Sequence, residues 1–222
     1  RDSNETLSYG FDPLLLNPGD PWNRAMNYPR IWQYIAQLLN LNQSHAIYFG
    51  FINISLFILG FLLFVNKIRL SVITGVALLL GFFSPATILA MERGNIDLII
   101  FFLFSFSLCY ISNKLIHPAI ILFASILKIF PVFALISLIR FEKKIFLKLL
   151  LFFLAAFTLY FFITFNDIKL IINGTPSSSI LSYGIKTIPN AFDMDLGPYF
   201  YIFIVFTSIW YCFKKSQFSS HI

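Results

Sequence analysis

Residues 46–65 read AIYFGFINISLFILGFLLFV, twenty consecutive residues without a charged side chain. A helix of this length rises about 30 Å, which is the thickness of the hydrocarbon core of a bilayer. The run therefore predicts a transmembrane helix. Other apolar runs of comparable character predict further spans at 71–91, 98–111 and 149–165.

The composition of the whole chain points the same way. It has 222 residues, of which 58% are hydrophobic and 12% charged, and its mean hydropathy is +0.80. Soluble domains carry about 25% charged residues, so an ordinary water-soluble globule is excluded. Disorder is excluded because so much apolar surface cannot stay hydrated. We expect an all-α, polytopic integral membrane protein.

The segment 118–139 is ambiguous, because it is long enough to span the membrane but carries Lys128 near its middle, followed by Pro131. It either crosses once or forms a bent pair of short helices that returns to the same side. With the bent pair, one face holds nine Lys and Arg in 29 loop residues and the other holds six in 84. A single crossing would move the basic residues of 140–148 to the outer face and remove this difference in charge. The positive-inside rule therefore favours the bent pair.

The charge count also predicts the order of segments along the chain. We expect an extracytoplasmic loop at 1–45, transmembrane helices at 46–165 with the bent pair at 118–139, an extracytoplasmic loop at 166–198, a transmembrane helix at 199–213 and a cytoplasmic tail at 214–222. The chain starts at Arg1 with no hydrophobic segment before the polar loop, which favours a piece of a longer protein.

The first loop contains a short amphipathic pattern after Pro29. Apolar residues recur at helical spacing there, and amides occupy the other face. This predicts a helix on the outer membrane surface, with Trp22 and Trp32 at headgroup depth. The apolar residues are Ile31, Tyr34, Ile35, Leu38 and Leu39, and the amides are Gln33, Gln37 and Asn40.

Lys128 is the most informative single residue. An ammonium group near the middle of a bilayer costs about 2.5 to 3.5 kcal/mol on insertion scales, so such residues are default candidates for function. Its natural partner is an anion that enters the membrane region, such as a lipid phosphate. The alternative is a snorkelling lysine or one paired internally with Asp97.

The turn 92–97, ERGNID, concentrates three charges and a glycine between two predicted helices. Glycine permits close backbone approach, and a helix N-terminus offers free N–H groups to anions. Alternatively, Asn95 or Asp97 only caps the next helix.

Asp12 and Asp20 lie in the first loop, where a carboxylate is suited to act as general base toward a sugar hydroxyl. An Asp before a proline also commonly begins a turn. No metal site is predicted, because Asp193 and Asp195 alone do not form a cation cage. The basic residues are scattered between apolar spans, so nucleic-acid binding is not expected.

Three motifs occur in a fixed order, at Ser84-Pro85, Glu92-Arg93-Gly94-Asn95-Ile96-Asp97 and Leu127-Lys128-Ile129-Phe130-Pro131. Together they resemble membrane mannosyltransferases of the glycosyltransferase-C superfamily. The last two are similar to the R-G-N-x-[DE] and K-I-[YF]-P motifs of the GPI mannosyltransferase I catalytic subunit. They also resemble bacterial glycosyltransferase family 87, whose Y-P element is similar to Asn27-Tyr28-Pro29.

The resemblance implies a glycosyltransferase-C helical bundle and a polyprenyl-phosphate sugar as donor substrate, with no further cofactor. It assigns Arg93 and Lys128 to the lipid phosphate, and Asn95 and Asp97 to shaping the site. In the family the catalytic carboxylate commonly follows a first transmembrane helix that this chain lacks. Asp12 or Asp20 therefore takes the role of base, or the base lies before Arg1.

The expected function is transfer of a hexose, mannose by the resemblance, to an extracytoplasmic glycolipid or glycan acceptor at a bacterial plasma membrane. The partners would be the lipid-linked donor, membrane lipids and that acceptor. A second hypothesis is a transporter or lipid-sugar flippase, with Lys128 lining the substrate path. A third is an assembly subunit whose site is inactive.

Overall fold

The described part of the chain is helical. A computed structural model describes residues 3–20, 24–175 and 206–207, and within these ranges there is no strand. The helices are α1 (Ser3–Ser8), α2 (Ile31–Leu38), α3 (Ala46–Val65), α4 (Val72–Phe82), α5 (Pro85–Glu92), α6 (Asp97–Cys109), α7 (Ile116–Leu127) and α8 (Lys143–Gly174), with 3-10 helices at Gln43–His45 and Phe130–Arg140. The predicted all-α class is confirmed for these residues.

Among the residues that the structure describes, two helices are long and apolar enough to cross a membrane: Gln43–Val65, which is α3 with the preceding 3-10 turn, and α8. A third candidate is α4 with α5, which are bent by 41° at the break between them. The break follows from local chemistry, because Ser84 caps α5 by accepting from the Thr87 N–H at 3.2 Å. Pro85 takes the first helical position, where its missing N–H costs nothing. The predicted span at 71–91 is therefore present, but bent.

Helix α8 is longer than the run that predicted it. It has 32 residues, or about 48 Å at 1.5 Å per residue. Residues 143–148 and 166–174, expected in loops, are helical because neither segment contains a proline or a glycine before Gly174. The helix thus extends beyond the uncharged stretch at both ends. The predictions for residues 176–205 and 208–222 lie outside the described residues.

The segment 118–139 folds as two short helices, α7 and the 3-10 helix, joined at Lys128 in extended conformation. Near the far ends of the pair, His117 Nε2 lies 2.8 Å from Ser137 Oγ. One straight helix would separate these residues by about 30 Å. The chain therefore turns back on itself, and Lys114 and Arg140 lie near the same end.

Within the described ranges, the core consists of three clusters of buried residues, each of which joins neighbouring helices. In the first, Phe57 of α3 packs with Ala90 of α5 and Leu98 of α6. The second joins α6 to α7 through Ile100, Ala124 and Leu127, and the third joins α7, the 3-10 helix and α8 through Ile121, Leu138 and Phe153. Through these contacts α6 lies between α3 and α7, and the 3-10 helix lies against α8.

Helix α2 packs on the bundle more closely than a helix resting on a membrane surface would. Trp32 Nε1 donates to the Leu127 carbonyl at 3.0 Å, while Ile31 and Ile35 pack against the buried residues of α6 and α7. Gln33, predicted on the polar outer face, is 2% exposed. That prediction is wrong, because tertiary contacts on the amide outweigh its preference for water. Trp22 lies outside the described residues.

The close approach of α3 and α6 predicts a specific sensitivity at Gly60. A Cβ atom there would lie 2.8 Å from the Phe102 Cα atom, whereas one at Gly75 of α4 meets nothing within 4 Å. We expect Gly60→Ala to cost about 1 to 3 kcal/mol, since the backbone must shift. Gly75→Ala should be neutral or stabilising. Thermal unfolding in detergent micelles measures both, and equal midpoints would contradict the packing.

The hairpin formed by α7 and the 3-10 helix predicts the sidedness of labelling. In the full-length protein with its native cysteines replaced, Lys114→Cys and Arg140→Cys should react with an impermeant thiol reagent only after permeabilisation of the cells. Lys169→Cys should react in intact cells. Reaction of Arg140→Cys, but not of Lys114→Cys, in intact cells would show that the pair crosses the membrane.

Candidate functional site

Residues from three distant parts of the sequence meet around one ammonium group. Lys128 Nζ lies 2.5 Å from Asp97 Oδ1. It also lies 5.7 Å from the ring centroid of Tyr28 and 5.6 Å from that of Phe130, within the range of cation–π attraction. The first loop, the turn before α6 and the break after α7 therefore form one site, which we call the Lys128 site.

The Lys128 side chain is accessible, with 28% of its surface exposed, and that of Asp97 is 35% exposed. The internal pairing with Asp97, considered above as an alternative to function, is present. Because both partners remain reachable from outside the protein, the pairing does not by itself close the site to an external anion.

The turn between α5 and α6 caps the end of one helix and the start of the next. Gly94 has φ +57, a left-handed conformation that glycine adopts readily. The N–H groups of Gly94 and Asn95 donate to the carbonyls of Met91 and Ala90, respectively, at 3.1 and 2.9 Å, as in a Schellman C-cap. Asn95 Oδ1 then accepts the Asp97 N–H at 3.1 Å. The glycine and the asparagine thus end one helix and begin the next.

Asn53, in the middle of α3, fixes this turn from the neighbouring helix. It is fully buried, and its Nδ2 donates to the Gly94 carbonyl at 2.9 Å. The contact ties the turn to a helix long enough to cross the membrane. Sequence reasoning missed Asn53, although an amide inside a twenty-residue apolar run was a readable signal.

Arg93, unlike Asp97 and Lys128, is not ion-paired within the described part of the chain. It is exposed, and among the described residues its guanidinium has neither a hydrogen bond nor an ion pair. The structure brings it into the same turn as Asp97 but shows no contact with Lys128. Arg93 is therefore a cation available to a ligand, held on the turn that carries Asp97.

Asp12 is bound by an arginine that sequence reasoning missed. Arg30 donates to both carboxylate oxygens of Asp12, at 3.1 and 2.9 Å, and to both oxygens of Asp167 in α8, at 2.9 and 2.8 Å. Its remaining N–H reaches Gln33 Oε1 at 3.2 Å. All five guanidinium N–H groups are used, so Arg30 fastens the first loop to α8.

The Arg30 contact also sets the ionisation of Asp12. Partial burial opposes the charged form, but the hydrogen bonds from Arg30 and the Leu14 N–H, together with the Arg30 charge, outweigh it. The pKa of Asp12 therefore lies below its ordinary value. The Leu14 bond, at 3.0 Å, is that of an Asp beginning a turn, which was the alternative to a catalytic role.

Asp20 is held in a similar way. Arg24 donates to its two oxygens at 3.2 and 3.1 Å, and the Asp20 side chain is only 6% exposed, against 33% for Asp12. Both carboxylates proposed as base are thus ion-paired, and Asp12 is the more accessible of the two.

In the part of the chain that the structure describes, no group of three or more His, Cys, Asp or Glu side chains is placed to hold a metal ion. No family model, no curated protein and no solved structure matches this chain. The assignment of roles therefore depends on the geometry and on the motifs themselves.

The lowered pKa of Asp12 predicts a pH dependence of stability. The contribution of its charged form is complete above the ordinary value of 3.8 and is lost as the pH falls through the lowered pKa. We expect Asp12→Asn to cost about 1 to 2 kcal/mol near neutral pH. The unfolding midpoints of the two proteins in detergent should converge as the pH falls below 3.8. A constant difference over that range would contradict this role for the charge.

Proposed function

We propose that the chain is part of an integral membrane glycosyltransferase that moves a hexose, by resemblance mannose, from a polyprenyl phosphate to an extracytoplasmic glycolipid or glycan. The observation that carries the proposal is the Lys128 site. Three motif residues, Tyr28, Asp97 and Lys128, are far apart in sequence and meet around one accessible ammonium.

Glycosyl transfer is accelerated by a positive group next to the leaving phosphate, on which negative charge develops. The bond between the anomeric carbon and the phosphate oxygen breaks, and the acceptor oxygen forms a new bond to that carbon. Negative charge grows on the lipid phosphate, and Lys128 would stabilise it there. Arg93, unpaired among the described residues, would supply a second positive charge from the adjoining turn.

The acceptor hydroxyl loses its proton in the same step, and a carboxylate would receive it. Asp12 is the better candidate of the two predicted residues because more of its side chain is exposed. Its lowered pKa keeps it ionised, as a base must be, although the Arg30 bonds weaken its basicity. Asp12 would therefore accept the proton in one of two ways. Either Arg30 turns partly away, or the proton goes to Oδ2, which accepts one hydrogen bond from Arg30 and keeps a second lone pair.

We propose that the site lies on the extracytoplasmic face of a bacterial plasma membrane, and the distribution of charge supports the sidedness. Lys114, Arg140 and the lysines at the start of α8 lie at the end of the bundle opposite the Lys128 site. The positive-inside rule assigns that basic end to the cytoplasm. The site would then face outward, where a lipid-linked donor and a glycan acceptor can both reach it.

One observation favours the transporter alternative. The pair formed by α7 and the 3-10 helix is a broken helix with a charged residue at its break, and such breaks hold substrate in many transporters. A transporter would move a sugar lipid across the membrane without forming a new glycosidic bond.

The decisive test uses the full-length protein in liposomes with labelled polyprenyl-phosphate mannose and membrane acceptors. We expect Lys128→Ala to lower the transfer rate by about 10² to 10³, the usual effect of removing a group that stabilises developing charge. Lys114→Ala is the matched control, and it should transfer at the parent rate.

Two outcomes would contradict the proposal. Unchanged transfer by a correctly inserted Lys128→Ala variant would remove the lysine from the mechanism. Passage of the labelled lipid across the bilayer, with no product formed from any of several sugar carriers, would favour the transporter instead.

A further inference from the structure

We infer that Asp97 is an internal competitor for the phosphate at Lys128. Its carboxylate holds the ammonium while the site is empty, and the phosphate of the lipid carrier displaces it. The inference rests on the proposed function and adds a positioning residue to it, with a definite consequence for binding and release of the carrier.

The exposure of the pair supports displacement. With the two side chains 28% and 35% exposed, the attraction between them is screened, and pairs of this kind are worth little. The phosphodiester of the sugar donor carries one negative charge, as a carboxylate does, and the monoester left after transfer carries about −1.5 to −2 at pH 7. Both phosphates offer oxygen acceptors for charge-assisted hydrogen bonds, so each can compete for the same ammonium.

Lys128 is placed so that it can change partners at low cost. Its backbone is extended, with φ −157 and ψ 135, so the residue belongs to neither neighbouring helix. The rings of Tyr28 and Phe130 lie under 6 Å from Nζ. Their attraction for the cation persists when the carboxylate leaves, which keeps the ammonium in the site.

Asp97 also retains stabilisation after Lys128 departs. It is the first residue of α6, where the positive end of the helix dipole favours a negative side chain. Its own N–H stays bonded to Asn95 Oδ1. The carboxylate therefore remains in position to recapture the ammonium once the lipid phosphate leaves.

This arrangement makes Asp97 a determinant of release as well as of binding. Removal of its charge should tighten binding of both the donor and the product phosphate, because the competitor is gone. Product release should then slow, so that KM and kcat fall together. A purely structural role would give the opposite effect on affinity, since a damaged site binds more weakly.

The experiment measures binding of polyprenyl phosphate, without a sugar, to the full-length protein in nanodiscs. We expect Asp97→Asn to bind it about fivefold more tightly than the parent. Asp97→Glu should restore the parent affinity because it keeps the charge. Lys128→Ala should bind at least about tenfold more weakly.

Glu92→Gln is the matched control. It removes the same charge five residues earlier, from an exposed side chain without a hydrogen-bond or ion-pair partner among the described residues. We expect it to bind like the parent. Equal tightening by Glu92→Gln and Asp97→Asn would show a general charge effect and overturn the inference.

The two proposals fail in different ways. If Lys128→Ala binds weakly but Asp97→Asn binds no better than the parent, the competitor role is overturned and the phosphate site stands. If Lys128→Ala binds as tightly as the parent, the phosphate is held elsewhere, and both the inference and the assigned role of Lys128 are overturned.

Discussion

The organisation of this chain depends on one constraint: in apolar surroundings, backbone N–H and C=O groups must find partners within the protein. Uninterrupted helices meet it by themselves, but each break exposes groups that need a side chain. Ser84 caps α5, Asn53 binds the Gly94 carbonyl, Asn95 binds the Asp97 N–H, and Trp32 binds the Leu127 carbonyl. The polar residues of an apolar chain are therefore concentrated at its breaks.

The same constraint brings functional groups together. Breaks leave the chain in extended or left-handed conformations, as at Lys128 and Gly94, and these conformations give side chains directions that a continuous helix does not allow. A short hairpin that turns at Lys128 delivers its ammonium to the turn before α6. The residues that complete the breaks are therefore the same residues that are candidates for chemistry. For this reason each motif can be interpreted either as a helix cap or as part of a binding site.

Charge pairing is the second organising feature. The carboxylates considered for chemistry are each bound by a cation: Asp12 by Arg30, Asp20 by Arg24 and Asp97 by Lys128. Partly buried charges are costly without partners, and here the partners come from within the protein. A ligand that binds Lys128 in place of Asp97, as proposed, would open one of these pairs, so the pairs would bear on ligand binding as well as on stability.

The sequence did not predict the break at Ser84, which lies within the expected span 71–91. Its local pattern was enough for the apolar helices, and its count of basic residues predicted the bent pair at 118–139. These features depend on hydropathy, turn chemistry and charge, which neighbouring residues carry themselves. Tertiary structure alone decided that Gln33 is buried and that Arg30 joins Asp12 to Asp167, which is 137 positions from Arg30 along the chain. Such contacts arise only when distant helices are packed, because a charged side chain selects its partner by position in space rather than by separation in sequence.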